Sequence, residues 1–419
     1  MRTPLPRRTL LASTAAVGAS AALLPAIARA ESSGRGQEAS FTLTAEVLDG
    51  GEQVTSLTLS SPALRPVRRD SLSAGTFAVH VRATNPLTGE VAYEQDRTVT
   101  DASWTRRGDV LLELEHGEGV PGGATLGYMV DARRNVVLDL EYTIVQDAPL
   151  SGPRGDVVLE SFSQGALEDP EVDAFSSHIS AAGLNYRLFS PRGGRGPGGT
   201  GRALVVWLHG GGEGGMAGGA YDYYDNETQL RANRGALGFA TPEAQEAFGG
   251  AYVLAPQCPS AWMEDGDGFA PMIRETIAEV VEGAAIDVDR IHVVGCSNGG
   301  YMSLKMVVEH PEVFASSVPI CCGIGARDGS SGYYISDEEL AAMTTPTWLV
   351  HSADDTTLDA QDNTVHAHEL IPDSIMSLYD EVVWDGVSFP GHWSWIYVAR
   401  NDPQHEGVRI WDWMGEQTL

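Results

Sequence analysis

Between Phe41 and about Gln146, apolar and polar residues alternate in short runs split by turn residues, as in Phe41-Thr42-Leu43-Thr44-Ala45-Glu46-Val47 and Val136-Val137-Leu138-Asp139-Leu140-Glu141-Tyr142-Thr143-Ile144. A period of two puts alternate side chains on one face of a strand. About seven such strands in roughly 105 residues predict an immunoglobulin-like β-sandwich over 41–146. Beyond residue 157 the pattern changes. Apolar, β-branched runs such as Ala203–Leu208, Ile291–Val294 and Thr347–His351 stand apart by helix-length segments, the signature of a mostly parallel sheet flanked by helices. The length of 157–419 suits one such α/β domain. Residues 147–156, with Pro149, Gly152 and Pro153, read as a linker, 31–40 as a polar segment without regular structure, and Arg192 to Arg202 as a slack Gly-rich connection.

The run Ile291-His292-Val293-Val294 leads into Gly295-Cys296-Ser297-Asn298-Gly299, and a helix is expected from Tyr301 to His310. A strand that turns sharply into a helix holds its turn residue in a strained conformation, and glycines on both sides leave room for that turn. Ser297 is therefore the candidate nucleophile. In this arrangement the acid and then the histidine follow the serine along the chain. Thr347-Trp348-Leu349-Val350-His351 reads as a later buried strand, and Asp354 and Asp355 lie just past its carboxyl end, where parallel sheets present functional groups. Asp355 is the favoured acid and Asp354 the alternative. A further helix and strand fit into 359–371 and 376–384, after which His392 takes the place of the base. His366 and His368 follow the acid too closely, His405 is a weaker rival, and His292 and His351 sit in strand patterns as packed groups. The strand Ala203–Leu208 ends in His209-Gly210-Gly211-Gly212-Glu213. Backbone amides of Gly211 or Gly212, with that of Asn298, are expected to form the oxyanion hole.

These motifs resemble those of bacterial α/β-hydrolase esterases that carry an N-terminal immunoglobulin-like domain, grouped with prolyl-oligopeptidase-like and polyhydroxybutyrate-depolymerase-like proteins. The resemblance rests on Val206-Trp207-Leu208-His209-Gly210, on Gly250 to Pro259, on the elbow from Gly295 to Tyr301, on Val350-His351-Ser352-Ala353-Asp354-Asp355 and on Gly391-His392-Trp393-Ser394-Trp395. It implies an α/β-hydrolase fold and places the acid at the second aspartate of the pair. In such proteins Pro-Val often follows that aspartate; here Thr356-Thr357 stands instead.

Composition narrows the setting. Met1 to Ala30 pairs Arg7-Arg8 with an Ala-rich apolar stretch and closes on Ala28-Arg29-Ala30, which predicts a twin-arginine signal peptide and export. This leader holds four of the 27 basic residues and no acid, leaving 57 acidic residues against 23 basic ones, a net charge of −34. Nucleic acid and anionic membrane are poor partners for such a surface. After the leader no apolar stretch approaches the roughly 20 residues needed to span a bilayer. Four cysteines allow at most two bridges; Cys321 and Cys322 are adjacent and poorly placed to pair with each other, and Cys296 reads as a core group. Asp265-Gly266-Asp267-Gly268 has the spacing of a calcium loop, but its twelfth position is Thr276 rather than a glutamate, so a solvated turn is expected. No motif asks for a cofactor or metal. The expected activity is hydrolysis of a small-molecule or polymeric carboxylic ester through Ser297, Asp355 and His392, with Trp262, Tyr301, Trp393 and Trp395 as candidate pocket walls. A serine peptidase, and a non-catalytic binding protein on a relic hydrolase fold, are the alternatives.

Overall fold

The computed structural model describes residues 37–193, 200–326 and 329–419. The expected signal segment and residues 31–36 lie outside them, as does 194–199 of the Gly-rich connection.

The first strand, Gln37–Leu48, buries alternate side chains and starts earlier than its polar lead-in suggests. It runs antiparallel to Gly51–Ser60 within a sheet completed by Val110–Leu114 and Val99–Trp104, facing a three-stranded sheet of Val91–Arg97, Phe77–Thr84 and Asp139–Gln146. Phe41, Leu43, Leu57, Val79, Leu112 and Ile144 fill the space between the sheets. Three sequence expectations need correction. Residues 37–40 belong to the first strand and not to a segment without regular structure. The supposed linker 147–156 is a hairpin, Leu150–Gly152 with Gly155–Val157, and Leu150 and Val157 enter the sandwich core. Its prolines and glycines make a turn, not a spacer. Leu159–Glu168, assigned to the catalytic part, instead adds a parallel strand to Gln37–Leu48 on the sandwich sheet. The catalytic part therefore begins near Asp169, whose side chain caps the short helix Pro170–Asp173.

That part is built on eight strands: β1 (Phe175–Ile179), β2 (Asn185–Phe189), β3 (Arg202–Leu208), β4 (Ala251–Gln257), β5 (Ile286–Cys296), β6 (Ser316–Ile320), β7 (Trp348–Ser352) and β8 (Ile375–Tyr379). Their spatial order is 1-2-4-3-5-6-7-8. β2 pairs antiparallel with both of its neighbours, β1 and β4, and all the remaining pairs are parallel. Every residue of β4, β6 and β7 is buried, as covering both faces of a parallel sheet requires. One cover contains Trp207, Val294 and Trp395, the other Leu208, Val293 and Met302. Helices α1 (Gly266–Gly283) and α2 (Asn298–Glu309) pack on the second face. Asp265 caps α1 by accepting from the amide of Gly268, so the acidic run read as a turn is a helix start. Among the described residues no helix is long and apolar enough to cross a membrane.

Sandwich and catalytic part pack as one unit over Gln37–Leu419. Arg234 clamps Glu171 through two short bonds and also donates to the carbonyl of Val47 in the sandwich. Arg400 grips both carboxylate oxygens of Asp49, in the turn after the first strand.

Candidate active site

β5 delivers Cys296 into the core and then turns within one residue into α2. Ser297 occupies that turn with φ 54° and ψ −113°, a region that costs a non-glycine residue of order 1–3 kcal/mol. The surroundings hold it there. Its amide donates to the carbonyl of Ile320 at 2.8 Å, and its carbonyl accepts from Tyr301. A side chain at Gly299 would collide with the carbonyl of Leu208 on β3, and one at Gly295 with that of Gly299. Glycine at both positions is what lets β5, β3 and α2 approach so closely.

The chain brings His392 to this serine from the loop after β8. His392 Nε2 lies 2.8 Å from Ser297 Oγ and Nδ1 lies 2.6 Å from Asp355 Oδ2. Asp355 sits just past β7 and is buried, with its other oxygen accepting from the amides of Thr357 and Leu358. Burial alone would raise the pKa of this carboxyl, but hydrogen bonds from His351 and His392, with the charge of His392, outweigh it and hold the group well below the usual carboxylate range. The alternative acid, Asp354, is exposed and accepts from Ser352. His366 pairs with Asp337 and His292 with Ser316, both away from the serine.

The oxyanion candidates converge as well. Gly211 and Gly212 open a short 3₁₀ turn and Asn298 is the first residue of α2, positions whose amides find no partner within their own helical turn. A side chain on Gly211 would touch that of Asn298. The loop is braced at both ends. His209 Nε2 accepts from the amide of Cys258 at 2.9 Å, so Nδ1 carries the proton toward the Gly210 carbonyl. Burial pulls its pKa down to about 4, which keeps it neutral. On the α2 side, Asn298 Oδ1 accepts from the amide of Met263.

Sequence reading missed three contributors. His351, read as packing, touches the acid: its Nε2 lies 2.9 Å from Asp355 Oδ2. Glu213 is buried in the oxyanion loop, and burial pushes its carboxyl up to about 7. The third is the sandwich itself. Its hairpin Leu126–Met129 with Arg134–Val137 lies over the oxyanion loop: Asn135 donates to the Gly212 carbonyl at 3.3 Å, and Arg134 donates to those of Gly215 and Ser260. Tyr128, Arg133 and Asn135 thus share with Ser297, His392 and Trp393 the lining of one cleft of about 1000 Å³. None of this is visible in a pattern, because the partners lie 77 to 126 residues apart. Of the proposed aromatic walls, Trp393 and Trp395 line the cleft, whereas Trp262 and Tyr301 are buried among the core residues behind it. All four cysteines are unpaired and buried, so neither possible bridge forms.

The profile of the prolyl oligopeptidase family matches residues 272–322, from α1 through the elbow to β6. NocK of Nocardia uniformis subsp. tsuyamanensis, by name an esterase, is 30% identical over 115 residues, 27% of this chain and 31% of that protein. Poly(3-hydroxyalkanoate) depolymerase C of Paucimonas lemoignei is 33% identical over 85 residues, 17% of this chain and 20% of the depolymerase. The chain thus matches a third or less of these curated relatives. The crystal structure of a thermostable esterase superposes with a TM-score of 0.70 at 25% identity, over 91% of this chain and all of that one. By strand order, by the elbow and by these likenesses, the chain has the α/β-hydrolase fold and is similar to esterases.

Proposed function

We propose that the protein is a serine esterase that hydrolyses carboxylic esters through an acyl-enzyme. The observation that carries this reading is the unbroken row Ser297 Oγ, His392, Asp355, with contacts of 2.8 and 2.6 Å. His392 Nε2 takes the proton as Ser297 Oγ attacks the ester carbonyl carbon. Asp355 holds Nδ1–H and stabilises the imidazolium. The carbonyl oxygen, now negative, meets the amides of Asn298 and of Gly211 or Gly212, and loss of one such donor typically costs ~3 kcal/mol of transition-state stabilisation. The alkoxide leaves with the proton from His392. Water, deprotonated by the same ring, then attacks the acyl carbon, and Ser297 leaves as the hydroxyl.

The finer parts of the proposal are an immunoglobulin-like identity for the sandwich and export through the twin-arginine leader. The eight strands in two facing sheets support the first, and Arg7-Arg8 with the Ala-rich stretch support the second. The family profile over the elbow favours a second reading, a serine peptidase. Peptidases of that kind gate the site with a large propeller, whereas here a small sandwich borders an open cleft.

Turnover of p-nitrophenyl acetate, butyrate and octanoate, by the protein and its Ser297→Ala variant, tests the reading. Serine-dependent release of p-nitrophenol is expected, and the three rates rank acyl length. A folded protein silent on all three but active on a peptide amide would favour the peptidase.

A further inference from the structure

The carboxylate of Asp355 serves two histidines. His392 Nδ1 lies 2.6 Å from Oδ2, and His351 Nε2, from the end of β7, lies 2.9 Å from the same atom. His351 is wholly buried. Its Nε2 also lies 3.1 Å from the carbonyl oxygen of Leu358. Both neighbours are acceptors, so Nε2 carries the ring proton and Nδ1 accepts. Nδ1 lies 2.7 Å from Thr364 Oγ1, which lies 3.5 Å from the Cys322 sulfur. Thr364 reaches this position from a π-helical turn, Gln361–Val365, a wide turn often found at functional sites. Each proton in the row then points one way, from Cys322 to Thr364 to His351 to Asp355.

We infer that His351 is a positioning residue of the esterase: it locks the Asp355 carboxylate against His392 and, by sharing Oδ2, limits how strongly that oxygen holds the His392 imidazolium. The inference rests on the triad reading above. Oδ1 is already taken by two backbone amides, so Oδ2 is where a side chain can tune the acid. The other ionisable groups around it are Cys321 beside Asp355, Cys322 behind Thr364, and exposed Asp354. Burial pushes the Cys322 thiol up to about 11 and Cys321 well above its ordinary value, so both stay neutral and leave the carboxylate's charge to the two imidazoles.

The test measures kcat and KM on p-nitrophenyl butyrate across pH 4–9 for the protein and for His351→Phe, His351→Gln, Thr364→Val and Ser297→Ala, with circular dichroism and melting temperature for each. His351→Phe keeps a planar ring, somewhat larger than imidazole, and removes the donor. We expect kcat to fall roughly 10- to 100-fold, the scale on which losing an outer hydrogen-bond partner of a metal ligand costs activity, with KM little changed. The acid limb of kcat/KM, which reports the free enzyme's base, should move to higher pH, because an unshared Oδ2 binds the imidazolium more tightly. His351→Gln places an amide N–H near the position of Nε2 and should recover most of kcat and return the limb. Thr364→Val leaves His351 in place without the hydroxyl that fixes its tautomer, and should move the limb less, in the same direction. The inference is overturned if His351→Phe keeps the parent rate and limb, or if Gln rescues nothing. It also fails if activity follows melting temperature with the limb unmoved. Should His351→Phe not fold, an unmoved limb in Thr364→Val overturns it alone. Activity retained by Ser297→Ala would instead bring down the triad reading beneath it.

Discussion

The catalytic part and the sandwich meet at one cleft and supply it in opposite ways. The catalytic part brings reactive groups: a serine from the end of β5, an aspartate past β7 and a histidine past β8, joined at 2.8 and 2.6 Å. The sandwich brings no such row. It contributes Tyr128, Arg133 and Asn135 to the wall, and Asn135 and Arg134 grip the backbone of the loop that carries Gly211 and Gly212. On the proposed reading one side does chemistry and the other holds geometry. Substitutions on the two sides should therefore fail differently.

The largest effect is expected at the acid. Asp355→Asn leaves the shape of the site but favours the wrong tautomer of His392, and kcat should drop by about 10⁴-fold in a protein with parent circular dichroism. Asn135→Ala sharpens the comparison from the other side. With one restraint on the oxyanion loop gone, kcat should fall by roughly 10- to 100-fold, the range a small misplacement of reacting groups can cost, while the melting temperature hardly moves. Arg234→Ala removes a clamp between the two parts, leaving Glu171 and the Val47 carbonyl without it. Denaturant titration should show a loss of about 2 kcal/mol, with kcat at 25 °C unchanged. A folded Arg234→Ala protein with lost activity would mean that docking, rather than the hairpin contact, sets the loop.

The smallest effect concerns Glu52, a sandwich carboxyl buried against the catalytic part's Arg231 and Asp169. Burial, only partly offset by Arg231 and Thr125, raises it from an ordinary 4.5 to about 7. A carboxyl whose folded pKa is raised holds its proton longer in the native state, so its contribution is full below about 4.5 and shrinks as pH climbs to about 7. Melting temperature should thus decline over that window. Glu52→Gln should flatten the decline in part, since Glu213 titrates in the same direction. An unchanged slope would show that Glu52 is ionised in the folded protein.

The two parts also differed in how far sequence could reach. A strand, five residues with glycine at both ends and a helix announced Ser297, and chain order then pointed to Asp355 and His392, because the elbow and the strand ends are local constructions. His351 looked like any apolar-strand histidine; only the fold brings it against an aspartate four residues on. The hairpin at 150–157 was read as spacer because prolines and glycines mark turns and linkers alike. Asn135 on Gly212 was out of reach, being a docking contact with no period to betray it.

The measurement closest to the central claim is mass spectrometry after treatment with a fluorophosphonate, which captures activated serines. The account predicts one adduct per chain, on the peptide holding Ser297, with labelling lost in Ser297→Ala and strongly slowed in Asp355→Asn. An adduct on another residue, or a folded protein that takes none, would contradict it.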